Sequence, residues 1–288
     1  MLFKDKLLQT ELEKNGFVVI PFLNPFEVQK LNNFYNSVHK EEDPPNFIED
    51  IHMTTWCPDF DYKMKVSNNL MEIFSGASQS FFKNFRRLNN VFIVKKSGKE
   101  TVFKVHQDWN VIDETKYQSV NVWVPLHDVD ENSGALWVLK GSHRINRNIR
   151  GAGYLFPGYD KYIKELEKAA ISVKLKAGQA IVFYHSVIHG SPSNLSGHNR
   201  VAACFSIIPK EAPLCIYFQP TIDSELQRHE PKDDFMFSYE RLRVDAALKP
   251  PTGEPVKVGP PYQNKKVELE ELDVFLKPNR SIFNFWNK

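Results

Sequence analysis

The run Val105-His106-Gln107-Asp108 sets an imidazole and a carboxylate two residues apart. Residues 101–108 are β-branched and aromatic and read as a strand. In a strand, residues two apart point to the same side. His106 and Asp108 are therefore expected to face one interior, close enough to share a metal ion. A second run, Tyr184-His185-Ser186-Val187-Ile188-His189-Gly190-Ser191, follows a turn at Ala177-Gly178-Gln179 and an apolar strand. It offers a second imidazole from His189 or from His185, which would face the same side of a continuous strand. Two histidines and one carboxylate occupy one face of an octahedral metal and leave positions open, as non-haem Fe(II) oxygenases require. Arg200 lies eleven residues after His189 and opens the apolar strand Val201-Ala202-Ala203-Cys204-Phe205. A guanidinium there can clamp a carboxylate through two parallel hydrogen bonds. A metal and an arginine so placed suit a bidentate 2-oxo acid, with its keto acid on the metal and its far carboxylate on Arg200.

The elements that must position these groups change character along the chain. Residues 2–15 carry Leu8 and Leu12 at helical spacing, with Gly16 as C-cap. Residues 16–21 read as a buried strand. Asn24-Pro25 is a helix start that leads to about residue 39. Residues 43–56 read as a proline-containing loop, and residues 67–85 as a helix. Strands are then expected at 90–95, 101–108, 119–127, 134–139, 180–184 and 201–209, each bounded by Gly, Asn, Asp or Pro. Helices in front of many short strands predict a β-sandwich or barrel buttressed by N-terminal helices. Residues 151–170 interrupt the strands with a Gly/Tyr/Pro-rich loop and a short helix from 160. From Gln219 onward the chain is polar and proline-rich. Residues 210–288 are read as an extension that wraps the core, with an apolar tail at 282–286 able to dock. The whole, 1–288, is read as a single domain with its core at about 11–209.

Three features together resemble the phytanoyl-CoA dioxygenase family. They are His106-Gln107-Asp108, the run from Asp128 through Asn132-Ser133-Gly134 to Gly141-Ser142-His143, and His189-Gly190-Ser191 with Arg200. The N-terminal Asn15-Gly16-Phe17-Val18-Val19-Ile20 is similar too. The resemblance covers roughly residues 11–209 in order and spacing. It implies a double-stranded β-helix, or jelly roll, that uses Fe(II), O2 and 2-oxoglutarate as cosubstrate. Carried over, His106, Asp108 and His189 are the iron ligands, and Arg200 holds the far carboxylate of 2-oxoglutarate. Ser191 matches a hydroxyl that assists Arg200, and Trp123 an aromatic that lines the cosubstrate pocket. His189 is preferred to His185 because Gly-Ser follows it and Arg200 stands at the matching offset. Lys140 departs from the proline usual in the Gly-Ser-His block, and Ala202 from a hydroxyl found in some relatives. Related halogenases lack the carboxylate, so Asp108 favours hydroxylation of a C–H bond, with release of succinate and CO2. The alternatives are a cupin-type metalloenzyme that does not use 2-oxoglutarate and a non-catalytic binding protein on the same fold.

Composition sets the outer limits. The 288 residues are 42% hydrophobic and 25% charged, ordinary for a globular protein, and the 22 phenylalanines can fill a large aromatic core. A net charge of +2 gives no reason to expect nucleic acid or an acidic membrane surface. No stretch of eighteen apolar residues exists, so no membrane span is expected. Charges interrupt the first sixteen residues, so no signal-peptide core is expected there. Three cysteines without CxxC spacing fit a reducing cytoplasm and argue against a zinc–thiolate site. His127 and His143 are read as turn-stabilising, and Lys95 to Lys99 as a solvated hairpin turn. Lys63 and Lys65 are within conceivable reach of the cosubstrate, but no spacing supports it. A small-molecule substrate would enter between residues 43–62, 110–116, 144–162 and the C-terminal extension, where Trp56, Phe60, Trp109, Tyr154, Phe156 and Tyr159 suit an apolar or ring body. Arg144, Arg147 and Arg150 are candidates for an anionic group.

Overall fold

The structure, a computed structural model, describes residues 1–39, 43–145, 148–155, 159–264 and 272. Helix α1 (Lys6–Asn15) starts where Asp5 accepts a hydrogen bond from the Leu7 N–H at 2.6 Å, four residues later than its apolar spacing suggests. Gly16 ends it with φ 85°, its N–H bonded to the Leu12 carbonyl. A Cβ there would meet the His143 Nδ1 at 2.5 Å, so the turn needs glycine for space as well as for φ. Strand β1 (Phe17–Pro21) follows, then α2 (Pro25–His39). Asn24 and Glu27 cap α2 reciprocally: each backbone N–H donates to the other's side chain, at 2.9 and 3.0 Å.

The helix expected at 67–85 is two helices, α3 (Phe60–Ile73) and α4 (Ser75–Phe81). Asp59 caps the first, accepting from the Tyr62 N–H at 3.0 Å, and the chain breaks at Phe74. The expected loop at 43–56 contains strand β2 (Ile51–Met53) and a 3₁₀ turn. Its partner β3 (Phe85–Lys95) begins five residues earlier than its apolar half suggests, because its first turn of residues is only half buried. The remaining strands are β4 (Phe103–His106), β5 (Val120–Pro125), β6 (Trp137–Val138), β7 (Ile171–Ser172), β8 (Gln179–Tyr184), β9 (His189–Ser191) and β10 (Arg200–Pro209). Helix α5 (Ile163–Ala169) precedes β7.

Two antiparallel sheets result. One has the order β1-β8-β5-β10-β3-β2, the other β4-β9-β6-β7. This is the jelly roll expected from the resemblance. Helices α1–α4 buttress the larger sheet: Leu12, Leu31, Val66, Leu70 and Phe74 share one buried core with Val122, Val182 and Ala203.

The C-terminal part is more ordered than its polar composition suggests. Strands β11 (Ile216–Phe218), β12 (Leu226–His229) and β13 (Lys257–Gly259) form a third sheet. Phe235, Tyr239 and Leu242 pack with Ile51, Trp56, Leu88 and Val111 in a second core. Those apolar residues recur at no regular period, which hides them from a pattern reading. The tail at 282–286 lies outside the described residues. Among the described residues, no helix is long and apolar enough to cross a membrane.

Candidate metal and cosubstrate site

The smaller sheet carries the first two donors. His106 ends β4 and His189 begins β9, and the two stand directly opposite in the antiparallel register. Their ring centroids are 4.2 Å apart. Strand β9 is therefore distinct from β8. After Tyr184 the chain turns, with the Val187 N–H bonded to the Tyr184 carbonyl, and crosses to the other sheet. His185 and His189 do not share one strand, and the turn separates them.

Asp108 is also outside any strand, since β4 stops at His106. Strand alternation does not place it. Three hydrogen bonds do. Its N–H donates to the His185 carbonyl at 2.9 Å, and its carbonyl accepts from Arg150 Nε at 2.7 Å. Its Oδ2 accepts from the Asn121 amide at 2.7 Å. The result puts the His106 Nε2 3.6 Å from Asp108 Oδ1 and the His189 Nε2 3.7 Å from Oδ2. Ligand atoms of the three residues all lie within 4.8 Å of one another.

Both imidazoles are fixed by their other nitrogen. His106 Nδ1 donates to the Lys104 carbonyl at 2.7 Å, and His189 Nδ1 to the Val187 carbonyl at 2.9 Å. A proton on each Nδ1 leaves a lone pair on each Nε2, aimed at the shared centre. Burial holds His189 down at about 4, reinforced by His106, so it is a neutral donor at physiological pH. Burial would raise the Asp108 carboxyl, but His189 and His106 outweigh it and keep it well below the usual carboxylate range. One carboxylate and two imidazole nitrogens on one face fit a divalent, non-haem metal ion.

Asn121 escaped sequence reasoning because an asparagine on an apolar strand carries no motif. Its amide group is held by the Ser206 hydroxyl at 2.7 Å and by His185 Nε2 at 2.9 Å, both on its Oδ1. His185 in turn reaches the Ser119 hydroxyl through Nδ1 at 2.8 Å. His185 thus belongs to a buried polar network behind Asp108. Asn121→Leu removes the only side-chain donor to Asp108 Oδ2 among the described residues and is expected to weaken metal affinity by about 10–100-fold. Anaerobic calorimetry with Fe(II) reads this directly, and unchanged affinity would show that backbone bonds alone hold Asp108.

Beside the triad lie the other predicted groups. Arg200 is 2% exposed, donates to the Gly134 carbonyl at 2.9 Å, and stacks its guanidinium 5.1 Å from the Trp123 ring. Its Nε is buried without a hydrogen-bond partner among the described residues. Lys95 pairs with Arg200 across β3 and β10, and is 0% exposed. This corrects the solvated turn expected at its position: the turn begins one residue later. Its ammonium donates to Ser191 Oγ and to the Pro192 carbonyl, both at 2.6 Å. Among the described residues neither cation has an acidic partner. Burial and the nearby Arg200 press Lys95 down to about 6, and burial presses Arg200 to about 10. Arg200 therefore keeps its charge near neutral pH, and a buried guanidinium without a counter-ion costs free energy until an anion arrives.

The triad, Ser191, Arg200 and Trp123 all line one cavity of about 490 Å³. Each segment expected at its mouth contributes, through Trp56, Val111, Ala152 and Leu242 among others. Arg150 does not face it. Its side chain is fully buried, bonded to the Asp108 carbonyl and paired with Glu114. Arg144 is exposed, and Arg147 and Phe156 lie outside the described residues. Phe60 and Tyr154 are exposed, and the buried Tyr159 donates to Gln107 Oε1 at 2.6 Å. Lys63 is buried but donates to the Tyr239 carbonyl at 2.7 Å, far from any cosubstrate role. His143 reaches the Glu13 carbonyl at 3.0 Å, a structural contact as expected.

Close packing holds β9 in place. A Cβ on Gly190 would fall 2.8 Å from Trp137 Cζ2 and 2.9 Å from the Phe103 carbonyl. Gly190→Ala is expected to destabilise the fold by about 1–3 kcal/mol. Thermal denaturation measures it, and an unaltered Tm would contradict this packing.

A family model described as Phytanoyl-CoA dioxygenase (PhyH) matches residues 12–202. A phytanoyl-CoA dioxygenase of Arabidopsis thaliana is 28% identical over 161 residues, covering 53% of this chain and 52% of the relative. The chain spans about half the length of several curated relatives that it matches. Among solved structures, the epimerase SnoN, in complex with Fe3+, alpha-ketoglutarate and nogalamycin RO, is 14% identical with a TM-score of 0.55, covering 91% of this chain and 96% of its own. The alpha-ketoglutarate-dependent carbocyclase SnoK from nogalamycin biosynthesis is 18% identical with a TM-score of 0.53, covering 73% of this chain and 86% of its own. At these identities the structures speak for the fold.

Proposed function

Because the chain belongs to the phytanoyl-CoA dioxygenase family, we propose that it is an Fe(II)- and 2-oxoglutarate-dependent oxygenase that hydroxylates a C–H bond of a small molecule. In this reading His106, Asp108 and His189 hold the iron. Arg200 takes the far carboxylate of 2-oxoglutarate, Ser191 assists it, and Trp123 walls the pocket. One observation carries the reading: the two-histidine, one-carboxylate triad shares a cavity with the buried guanidinium of Arg200, which has no acidic partner among the described residues. A metal site alone would suit many enzymes, but the uncompensated charge calls for a dianion that reaches from the metal to Arg200.

When bound, iron with O2 and 2-oxoglutarate supplies the oxidising equivalent, with succinate and CO2 as products. The chain's own residues do the rest. The Nδ1–H bonds of the two histidines fix their tautomers, and Asn121 fixes the carboxylate. Arg200, held over Trp123 and tied to the Gly134 carbonyl, supplies the positive charge for the far carboxylate of the cosubstrate. The apolar walls keep water from the reacting centre. We read residues 1–288 as one functional unit, supported by the core that the C-terminal part shares with residues 51–111. Three unpaired cysteines support a reducing compartment such as the cytoplasm.

The test is an anaerobic titration of the metal-free protein with Fe(II) and 2-oxoglutarate. We expect a weak visible charge-transfer band from keto acid chelated to iron. Iron binding without the band would favour a cupin-type enzyme that does not use 2-oxoglutarate. No iron binding would favour a silent relative.

A further inference from the structure

One wall of the cavity is an aromatic ladder that ends in a cation. The Phe103 ring lies 5.5 Å from the His106 ring, and Trp56 stacks on Phe103 at 6.5 Å with an interplanar angle of 28°. The Arg243 guanidinium sits 4.9 Å from the Trp56 ring. All four residues line the same cavity. Arg243 comes from the C-terminal part, beyond the segment that the family model matches.

Among the described residues Arg243 forms an ion pair only with Glu49, at 2.9 Å at the rim, and the two side chains are 38% and 67% exposed. An exposed pair of this kind is weak and exchanges readily for another carboxylate. Stacking on Trp56 holds the guanidinium plane in place while its edge remains free to bond. Trp56 itself is buried and cannot swing away.

We propose that this wall selects a substrate with an apolar, flat or chain-like body and a single carboxylate. The body lies along Trp56 and Phe103, the carboxylate replaces Glu49 on Arg243, and the C–H bond to be oxidised is the one that reaches the His106 end. A singly charged group suits one guanidinium that has an acidic neighbour. The three successive ring contacts set the separation, so oxidation falls well away from the carboxylate rather than beside it. This rests on the oxygenase reading for the reaction, but not for the binding.

The experiment is anaerobic calorimetry of the Fe(II)- and 2-oxoglutarate-loaded protein with straight-chain fatty acids of eight to fourteen carbons and the matched primary alcohols. We expect the best acid to bind at least about tenfold more tightly than its alcohol. Arg243→Gln should erase that preference, and Glu49→Gln should strengthen it by removing the competing carboxylate. Equal binding of acid and alcohol, a preference that survives in Arg243→Gln, or no binding of any acid would overturn the proposal. The visible band of chelated 2-oxoglutarate, read in the same samples, reports separately on the oxygenase reading. Its absence together with an Arg243-dependent acid preference would sink that reading and leave this one standing.

Discussion

Asp108→Ala is expected to abolish turnover and to lower Fe(II) affinity by more than the roughly 100-fold seen when an outer-shell partner is lost. The reason is electrostatic. Asp108 is the only anion of the triad, and His189 is held neutral by burial. Without the carboxylate, a divalent ion would enter a partly buried site whose two remaining donors carry no negative charge and which shares its cavity with Arg200. Desolvation of the ion would then go largely uncompensated. His106→Ala removes one imidazole donor but leaves the carboxylate, and is expected to abolish turnover with a smaller loss of affinity. Neither substitution should unfold the protein. Asp108 sits in a coil held chiefly through its backbone, and His106 ends a strand whose β9 partner remains. Anaerobic calorimetry with Fe(II), succinate release and Tm separate these effects. Turnover retained in either variant would remove the iron assignment.

The three predicted ligand residues do come together in the structure, but not by the route their spacing implies. His106 and Asp108 were expected together because strand residues two apart share a face, yet the strand ends at His106. The donors converge because the backbone of Asp108 is tied to His185 and Arg150, contacts 77 and 42 residues away in sequence. No local period can reveal such ties. The β8–β9 crossover was missed in the same way, since no glycine, proline or asparagine marks a break between the strand read at 180–184 and His189. Caps and turns were legible, because Asn24-Pro25 and Gly16 act on their immediate neighbours. The burial of Lys95 was not. Lys95 lies beside Lys96, Ser97 and Gly98, and a charged run next to a glycine reads as solvent-facing. Only the register of β3 against β10 shows that Lys95 stands across from Arg200, inside the barrel. Asn121 and Arg243 carry no motif and gain their roles from three-dimensional neighbours alone.

Arg200→Ala is expected to raise the 2-oxoglutarate requirement by one to two orders of magnitude or more while leaving Fe(II) affinity unchanged. Each hydrogen bond to a charged group contributes about 1.5–3 kcal/mol, and a guanidinium can supply two in parallel. The native donor is preorganised: Arg200 is clamped by the Gly134 carbonyl and the Trp123 face, so little side-chain freedom is lost on binding. Lys95→Met separates the roles of the two buried basic residues. Met keeps the unbranched shape but removes the charge and the donors to Ser191 Oγ and the Pro192 carbonyl. Two acceptors left bare at a buried site should lower Tm. If Lys95 acts by positioning Ser191, its loss should weaken 2-oxoglutarate less than Arg200→Ala does, because the ammonium already spends its bonds on protein oxygens. Titrations of the visible band against 2-oxoglutarate in the two variants decide the order. A Lys95→Met effect equal to or larger than that of Arg200→Ala would place the far carboxylate on the lysine. An unchanged cosubstrate dependence in Arg200→Ala would remove the arginine from the site, and the oxygenase reading would then have to rest on the metal triad alone.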